Sequence, residues 1–344
     1  METIYTTRYS SVRPGRVQAI MDFGFTMRQA RFLVFVLVHS GVFLERQYRA
    51  FAGIAHGQKT HDFLHKLVDG GYATAITPGA LHRGRLYHVQ HKPLYEAIRE
   101  PDNRNRKRAS LGRFVERLML LDAVLADPRY MWLGTERDKV EFFSHGRMGE
   151  PQLDTSYLPH LTFGQPGNQT VRYFPDKLPI GADPNGGRRR VFLYLITREV
   201  PHDFRLFLHR HADLFRAVRQ WTIRILVPRR LRKAVALYRY AIRDELTTML
   251  RPSTVEELEW LFRVQAGQTA TPPDPALTRA AAEKKYAGAR FRALRASWER
   301  EGHPALRRTM SDGLRTDLEF RDGRIEFVAL NHQYLQLGSL VGVA

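Results

Sequence analysis

Between Thr26 and Val89 the spacing of apolar positions changes in a fixed order. Thr26 can cap a helix running to about Ser40, its hydroxyl accepting from otherwise unpaired backbone N–H groups, and Gly41 stops it. Inside that span, Phe32-Leu33-Val34-Phe35-Val36-Leu37-Val38 has no period and taken alone also suits a buried strand; the cap and the length from Thr26 to Ser40 select a helix. Leu44 to Gly53 carries Leu44, Tyr48 and Phe51 at helical spacing, and Gly57 to Asp69 sets Phe63, Leu64, Leu67 and Val68 on one stripe before Gly70-Gly71. Tyr72 to Ile76 and Arg85 to Val89 then read as strands, joined by the turn-rich basic tip Thr77-Pro78-Gly79-Ala80-Leu81-His82-Arg83-Gly84. Three helices, a strand, a basic loop and a strand are the order of a winged helix-turn-helix.

The rest of the chain mixes helices and strands. Val17 to Phe23 suits a short leading helix, after a basic arm with Arg8, Arg13 and Arg16 that either meets phosphates or packs beside the first helix. Lys92 to Arg99 reads as a short helix, and the cationic stretch Pro101 to Arg108 as a solvated linker or a phosphate contact. Leu111 to Ala126 is amphipathic through Phe114, Leu118, Leu121 and Leu125, and Thr135-Glu136-Arg137-Asp138 resembles a capping box opening a helix to about Phe143. Gly146 to Arg190 holds short strands and turns, closing in the loop signal Asp183-Pro184-Asn185-Gly186-Gly187. Val191 to Thr197, Asp203 to Val218 and Trp221 to Val227 then spell strand, helix, strand: a βαβ unit with parallel, buried strands. Arg229 to Leu250 predicts one helix, Ser253-Thr254-Val255-Glu256 a capped start of the next, to about Val264, and Gln265 to Thr278 a surface loop. Ala280 to Glu301 predicts a long basic helix, and Leu318 to Val328 a hairpin about Asp322-Gly323.

The fold class is therefore mixed α/β: an N-terminal winged helix-turn-helix, then an α/β domain with a parallel βαβ core. The 344 residues suffice for two cores, with expected divisions at 1–100, a helical connector at 101–149, and 150–344. Hydrophobic residues at 43% suit a globular chain, and no apolar run approaches the length of about 18 residues that a membrane span needs. Cysteine is absent, which excludes disulfides and Cys-type zinc sites; with no secretory signal in Met1 to Ser10, a cytoplasmic location is expected. Lys and Arg number 54 against 35 Asp and Glu, a net charge of +19, and phosphate backbones are the usual partner of such a field.

The candidate DNA-binding residues follow from the third helix and the wing. Opposite the apolar stripe lie Gln58, Asp62, His65, Lys66 and Asp69, with Lys59 and His61 at the flanks. Gln58 is suited to reading adenine, and Lys59 or Lys66 to a phosphate or guanine; His82, Arg83 and Arg85 would contact the backbone from the wing. His61-Asp62-Phe63-Leu64-His65 has the histidine spacing of zinc peptidases but Asp where their Glu base stands, and His209 and His211 point about 200° apart on a helix, so no metal site is assigned.

Catalytic signatures are weaker. Pro175-Asp176 before the strand Val191 to Thr197 has the outline of a PD-(D/E)xK nuclease, in which clustered carboxylates and a lysine hold Mg²⁺ and activate water. Phe192-Leu193-Tyr194-Leu195-Ile196 supplies neither the second carboxylate nor the lysine, and Glu199 is followed by Val200-Pro201. No Walker loop and no G-x-S-x-G elbow is present, and Tyr194, Tyr238 and Tyr240 lack the framework of a strand-transfer nucleophile. No catalytic residue and no cofactor is assigned.

Ala30-Arg31-Phe32-Leu33, the pattern Phe63-Leu64-x-x-Leu67-Val68-x-Gly70-Gly71-Tyr72 and the strand Arg85-Leu86-Tyr87-His88-Val89 resemble the winged-helix part of the replication-relaxation proteins of bacterial mobile elements. The resemblance covers residues 26–98. It implies a degenerate nuclease-like α/β region after the winged helix, echoed by Val191 to Val227, and a role in plasmid replication, element maintenance or transcription control. The expectation is a non-enzymatic binder of double-stranded DNA, with a homodimer mate or a mobile-element protein as further partner and no membrane. A DNA-processing enzyme with a divergent nuclease domain and an adaptor using the winged helix for protein contacts are the alternatives. The basic borders Arg188-Arg189-Arg190 and Arg229-Arg230-Leu231-Arg232-Lys233 would extend phosphate contacts along the second domain.

Overall fold

Thr26 and Gln29 cap each other across the first turn of a helix whose second half is an unbroken apolar run. The Thr26 Oγ accepts from the Gln29 N–H at 3.4 Å and the Gln29 side chain from the Thr26 N–H at 3.0 Å. In the computed structural model, which describes residues 14–76, 85–146, 152–165, 167–218, 220–310, 313–332 and 334, the chain is mixed α/β and forms two compact units. The first comprises residues 1–138, 178–187 and 329–344, the second residues 139–177 and 188–328. Among the described residues no helix is long and apolar enough to cross a membrane.

The first unit opens with α1 (Pro14–Met21) and α2 (Met27–His39). Every residue from Phe32 to His39 is buried, because α2 is surrounded on all sides; that is why its apolar run has no period. β1 (Val42–Leu44), α3 (Glu45–Ala52), α4 (Gln58–Asp69), β2 (Ala73–Ile76) and β3 (Leu86–Val89) follow. β3 is the middle strand of an antiparallel sheet ordered β1-β3-β2, pairing Phe43 with Tyr87 and Ala75 with Tyr87 on its two sides. Phe32 gathers Phe43, Tyr48, Phe51 and Phe63, with ring centroids 5.1 to 6.2 Å away, so α2, α3, α4 and β1 share one aromatic core.

α5 (Lys92–Ala97) and α6 (Leu111–Ala126) complete that core. The intervening stretch is not a solvated linker. Asn105 donates to the Leu37 and Val38 carbonyls, both at 3.1 Å, at the open end of α2, and its own carbonyl accepts from His88 at 3.1 Å. Gly41, at φ 70°, lies so close that a Cβ would overlap the Asn105 carbonyl. From α6, Asp122 receives both guanidinium nitrogens of Arg46 at 2.9 and 2.7 Å, the Gln47 amide at 2.8 Å, and the Tyr334 hydroxyl. Arg16 does not form a phosphate-seeking arm either: it is paired with Asp138 at 2.8 Å and Glu100 at 3.2 Å. Arg8 and Arg13 lie outside the described residues.

β4 (Met131–Leu133) and α7 (Glu136–Ser144), whose Asp138 N–H is capped by Thr135 at 3.0 Å, lead to a two-stranded ribbon of β5 (His160–Phe163) and β6 (Thr170–Tyr173). β7 (Ile180–Ala182) returns to pair antiparallel with β4. The second unit is built on β8 (Arg189–Leu195), α8 (His202–Ala217) and β9 (Gln220–Val227), with β8 and β9 parallel and buried, as the continuous apolar runs predict.

Four expectations beyond β9 change. Residues 229–250 are not one helix: a 3₁₀ turn at Arg229–Ala234 leads into α9 (Val235–Ile242), and a π-helical turn at Arg243–Thr247 follows. α10 (Pro252–Gln265) starts at Pro252 rather than at a Ser253 cap, since proline suits the first helical position. The long basic helix is α11 (Arg279–Lys285) and α12 (Ala289–Glu301), because Tyr286 turns inward to give its hydroxyl to Glu257 at 2.5 Å and Gly288 starts the second piece. After α13 (His303–Arg307), the expected hairpin is α14 (Gly313–Glu319) and β10 (Gly323–Ala329). Asp317 of α14 accepts from the Trp221 indole at 3.2 Å, Arg321 makes the reversal at φ 62°, and Gly323 lets β10 lie against the Trp221 ring, which a Cβ would overlap.

Candidate nucleic-acid interface

α4 presents two chemically distinct sides. Phe63, Leu64 and Leu67 face the aromatic core, and Thr60, also buried, bonds back to the Ala55 carbonyl at 3.4 Å. The preceding turn begins at Gly53, in the left-handed region at φ 63°, where it closes α3. Gly57 caps α4 without any side-chain bond, leaving the first amides of a helix whose first turn holds no acid.

Gln58, Lys59, His61, Asp62, His65 and Asp69 are all exposed. Gln58 donates to Asp62 at 2.5 Å and His65 meets Asp69 at 3.3 Å, so the acids that weaken the positive face are engaged by their own neighbours one turn away. The rings of His61 and His65 lie 4.1 Å apart. Lys59 has no acidic partner among the described residues and is the most available cation of the helix.

Lys66 belongs elsewhere. It donates to the Gly24 carbonyl and lies 4.7 Å over the Phe25 ring, where it holds the turn between α1 and α2. Arg85 is exposed at the start of β3, beside the Tyr87 phenol. His82 and Arg83 lie outside the described residues, with the rest of the tip at 77–84. Gln58, Lys59, His61 and His65 thus share the exposed side of one helix and Arg85 stands at the strand entrance, while Lys66 is engaged at the α1–α2 turn.

The Arg46–Asp122 clamp was not legible in the sequence, since its partners are 76 residues apart. It fixes the helix preceding the α3–α4 turn. His88, fully buried in the middle strand, is held below the ordinary histidine range by burial first, against the Asn105 bond and with Arg117 and Arg108 adding. It is a neutral pin between β3 and the Asn105 turn.

In the second unit, Asp176 is paired with Arg210, with His211 3.6 Å away. A carboxylate held this way neutralises a guanidinium, and among the described residues no group of three or more His, Asp or Glu side chains could hold a metal ion. His209 points the other way on α8, to Glu245 at 2.7 Å and the Ser297 hydroxyl at 3.1 Å. That Ser–His–Glu connection has the order of a hydrolase relay, but Ser297 is only 4% exposed within α12, and Glu245 is also claimed by Arg205 and Arg290. Burial pushes the Glu245 carboxyl up; His209, Arg290 and Arg205 together bring it below the usual range. The assembly reads as a buried charge network that ties α8 to the π-helical turn and α12.

The two basic borders differ. Arg189 donates to the Trp221 and Asp322 carbonyls, each at 3.1 Å, and Arg190 is fully buried over the Phe142 ring at 5.2 Å, leaving Arg188 exposed. Both inner arginines are committed to internal contacts at the start of β8 rather than facing a phosphate. Arg229, Arg230, Arg232 and Lys233 are all exposed. No protein-family model, curated protein or solved structure matches the chain.

Proposed function

We propose that the first unit carries a winged helix-turn-helix that binds double-stranded DNA without catalysing its cleavage. In this reading α4 enters the major groove and the β2–β3 connection follows the backbone. The observation that carries it is the outward side of α4: Gln58, Lys59, His61 and His65 on a helix whose N-cap Gly57 offers no side chain to its first amides, backed by an aromatic core and preceded by a glycine-closed helix turn. Gln58 is long enough to bridge the N6 and N7 of adenine once it releases Asp62; Lys59 and Arg85 would neutralise phosphates. The net charge of +19 favours this partner over a neutral protein surface. Through its resemblance to replication-relaxation proteins, the reading extends to replication or maintenance of a bacterial mobile element.

Fluorescence anisotropy of a labelled duplex at increasing salt tests it. Lys59→Ala and Arg85→Ala should each lower the slope of log affinity against log salt by about 0.9. Lys66→Ala should lower the melting temperature while leaving that slope unchanged, because its ammonium is already bound to Gly24. Salt-independent binding, or unchanged slopes in both of the first two variants, would remove the proposal.

A further inference from the structure

The 3₁₀ turn and α9 that leave the C-terminal end of β9 form a ridge with one buried and one open side. Leu231, Ala234, Tyr238 and Ala241 face inward; Tyr238 packs 5.3 Å from Phe204 and donates to the Arg198 carbonyl at 2.9 Å, which anchors the ridge beside the end of β8. Arg229, Arg232 and Lys233 on the 3₁₀ turn, Leu237 and Tyr240 on α9, and Arg243 just after it are all exposed. Arg229, Arg232 and Lys233 have no acidic partner among the described residues. Nearby acids are already engaged: Asp244 with Arg205 at 2.8 Å, Glu326 with Arg224 at 3.2 Å.

Tyr240 is 52% exposed, and the Arg243 guanidinium sits over its ring at 5.0 Å. Contact with a duplex backbone needs cations but no open aromatic face. Cations on the same ridge as an exposed ring that is already braced by an arginine match unstacked bases on a phosphate chain. We propose that this ridge is a second nucleic-acid site, one that binds single strands: Arg229, Arg232 and Lys233 hold the phosphates, and a base stacks on Tyr240. The site stands on the second unit alone and does not depend on how α4 is used.

The test uses the full chain and a labelled oligothymidylate of about 15 nucleotides, with oligouridylate as a parallel arm to distinguish DNA from RNA as the source of the strand. Tyr240→Ala should weaken binding about tenfold and Tyr240→Phe should restore it. Arg232→Ala with Lys233→Ala should lower the salt slope by about 1.4, at about 0.7 for each single-strand phosphate contact. All three side chains are exposed, so unchanged melting curves establish that folding is intact. Duplex affinity should be unchanged in Tyr240→Ala, while Lys59→Ala should leave single-strand affinity unchanged. Failure of the chain to bind either oligonucleotide, full affinity in Tyr240→Ala, an unchanged slope in the double variant, or parallel loss of duplex and single-strand binding in Tyr240→Ala would each overturn the proposal.

Discussion

His211 and Lys66 illustrate how a polar side chain in this protein is claimed by its immediate surroundings. His211 lies among Phe207, Phe215 and Phe192, with centroids 4.1 to 6.1 Å away, and its Nδ1 donates to the Phe207 carbonyl at 3.0 Å. Burial lowers its pKa from 6.5 to about 4, against the pull of Asp176 and the Phe207 bond and with Arg210 and Lys139 adding to the fall. The folded chain therefore binds fewer protons than the unfolded chain between those values. Its contribution to stability is complete above 6.5 and is lost as the pH falls toward 4, by roughly 3 kcal/mol in all. Urea denaturation across that window should show a shallower decline in His211→Phe than in the parent; equal slopes would show that His211 does not titrate this way. Lys66 makes the converse point, since a lysine on the polar side of a helix looks available until Gly24 and Phe25 are seen beneath it.

Element boundaries follow local chemistry wherever a cap, a glycine or a period decides them. Thr26 with Gly41, Gly53 and the stripe Phe63, Leu64, Leu67 place α2, the end of α3 and α4 from sequence alone, and the parallel pair β8 and β9 is equally plain in its apolar runs. What stays hidden depends on distant partners. β1 is three residues long and exists because β3 pairs with it. Tyr286 breaks a helix only because Glu257 waits on α10, and Asp317 stays helical because Trp221 needs an acceptor. Of the expected binding residues, the exposed ones on α4 were legible, whereas the commitment of Lys66, Arg16, Arg189 and Arg190 to internal contacts was not. The joint between α2 and β1 gives a sharp test of such long-range dependence. Gly41→Ala would strain a positive φ and collide with Asn105, so it should cost about 2 kcal/mol or more in urea denaturation. A cost below about 0.5 kcal/mol, the range of ordinary surface changes, would mean that the Asn105 turn gives way easily.

On the scale of the whole molecule, the chain passes between its two units at residues 138, 177, 187 and 328, so neither is a single continuous segment. The first unit needs Asn105, Phe114 and Asp122 to cover β3, α2 and α3. A fragment ending at residue 100 should consequently bind a hydrophobic dye and melt without cooperativity, while the full chain melts cooperatively; a sharp melt of the fragment would contradict this account of the core. The central claim, that the outer side of α4 meets a DNA duplex, has a direct test because the chain contains no cysteine. Gln58→Cys would carry a single iron–chelate cleaver on the full-length protein. The account predicts strand scission of a bound duplex well above that of the free reagent, disappearing as salt releases the protein. A labelled protein that binds the duplex and leaves it uncut would contradict the claim.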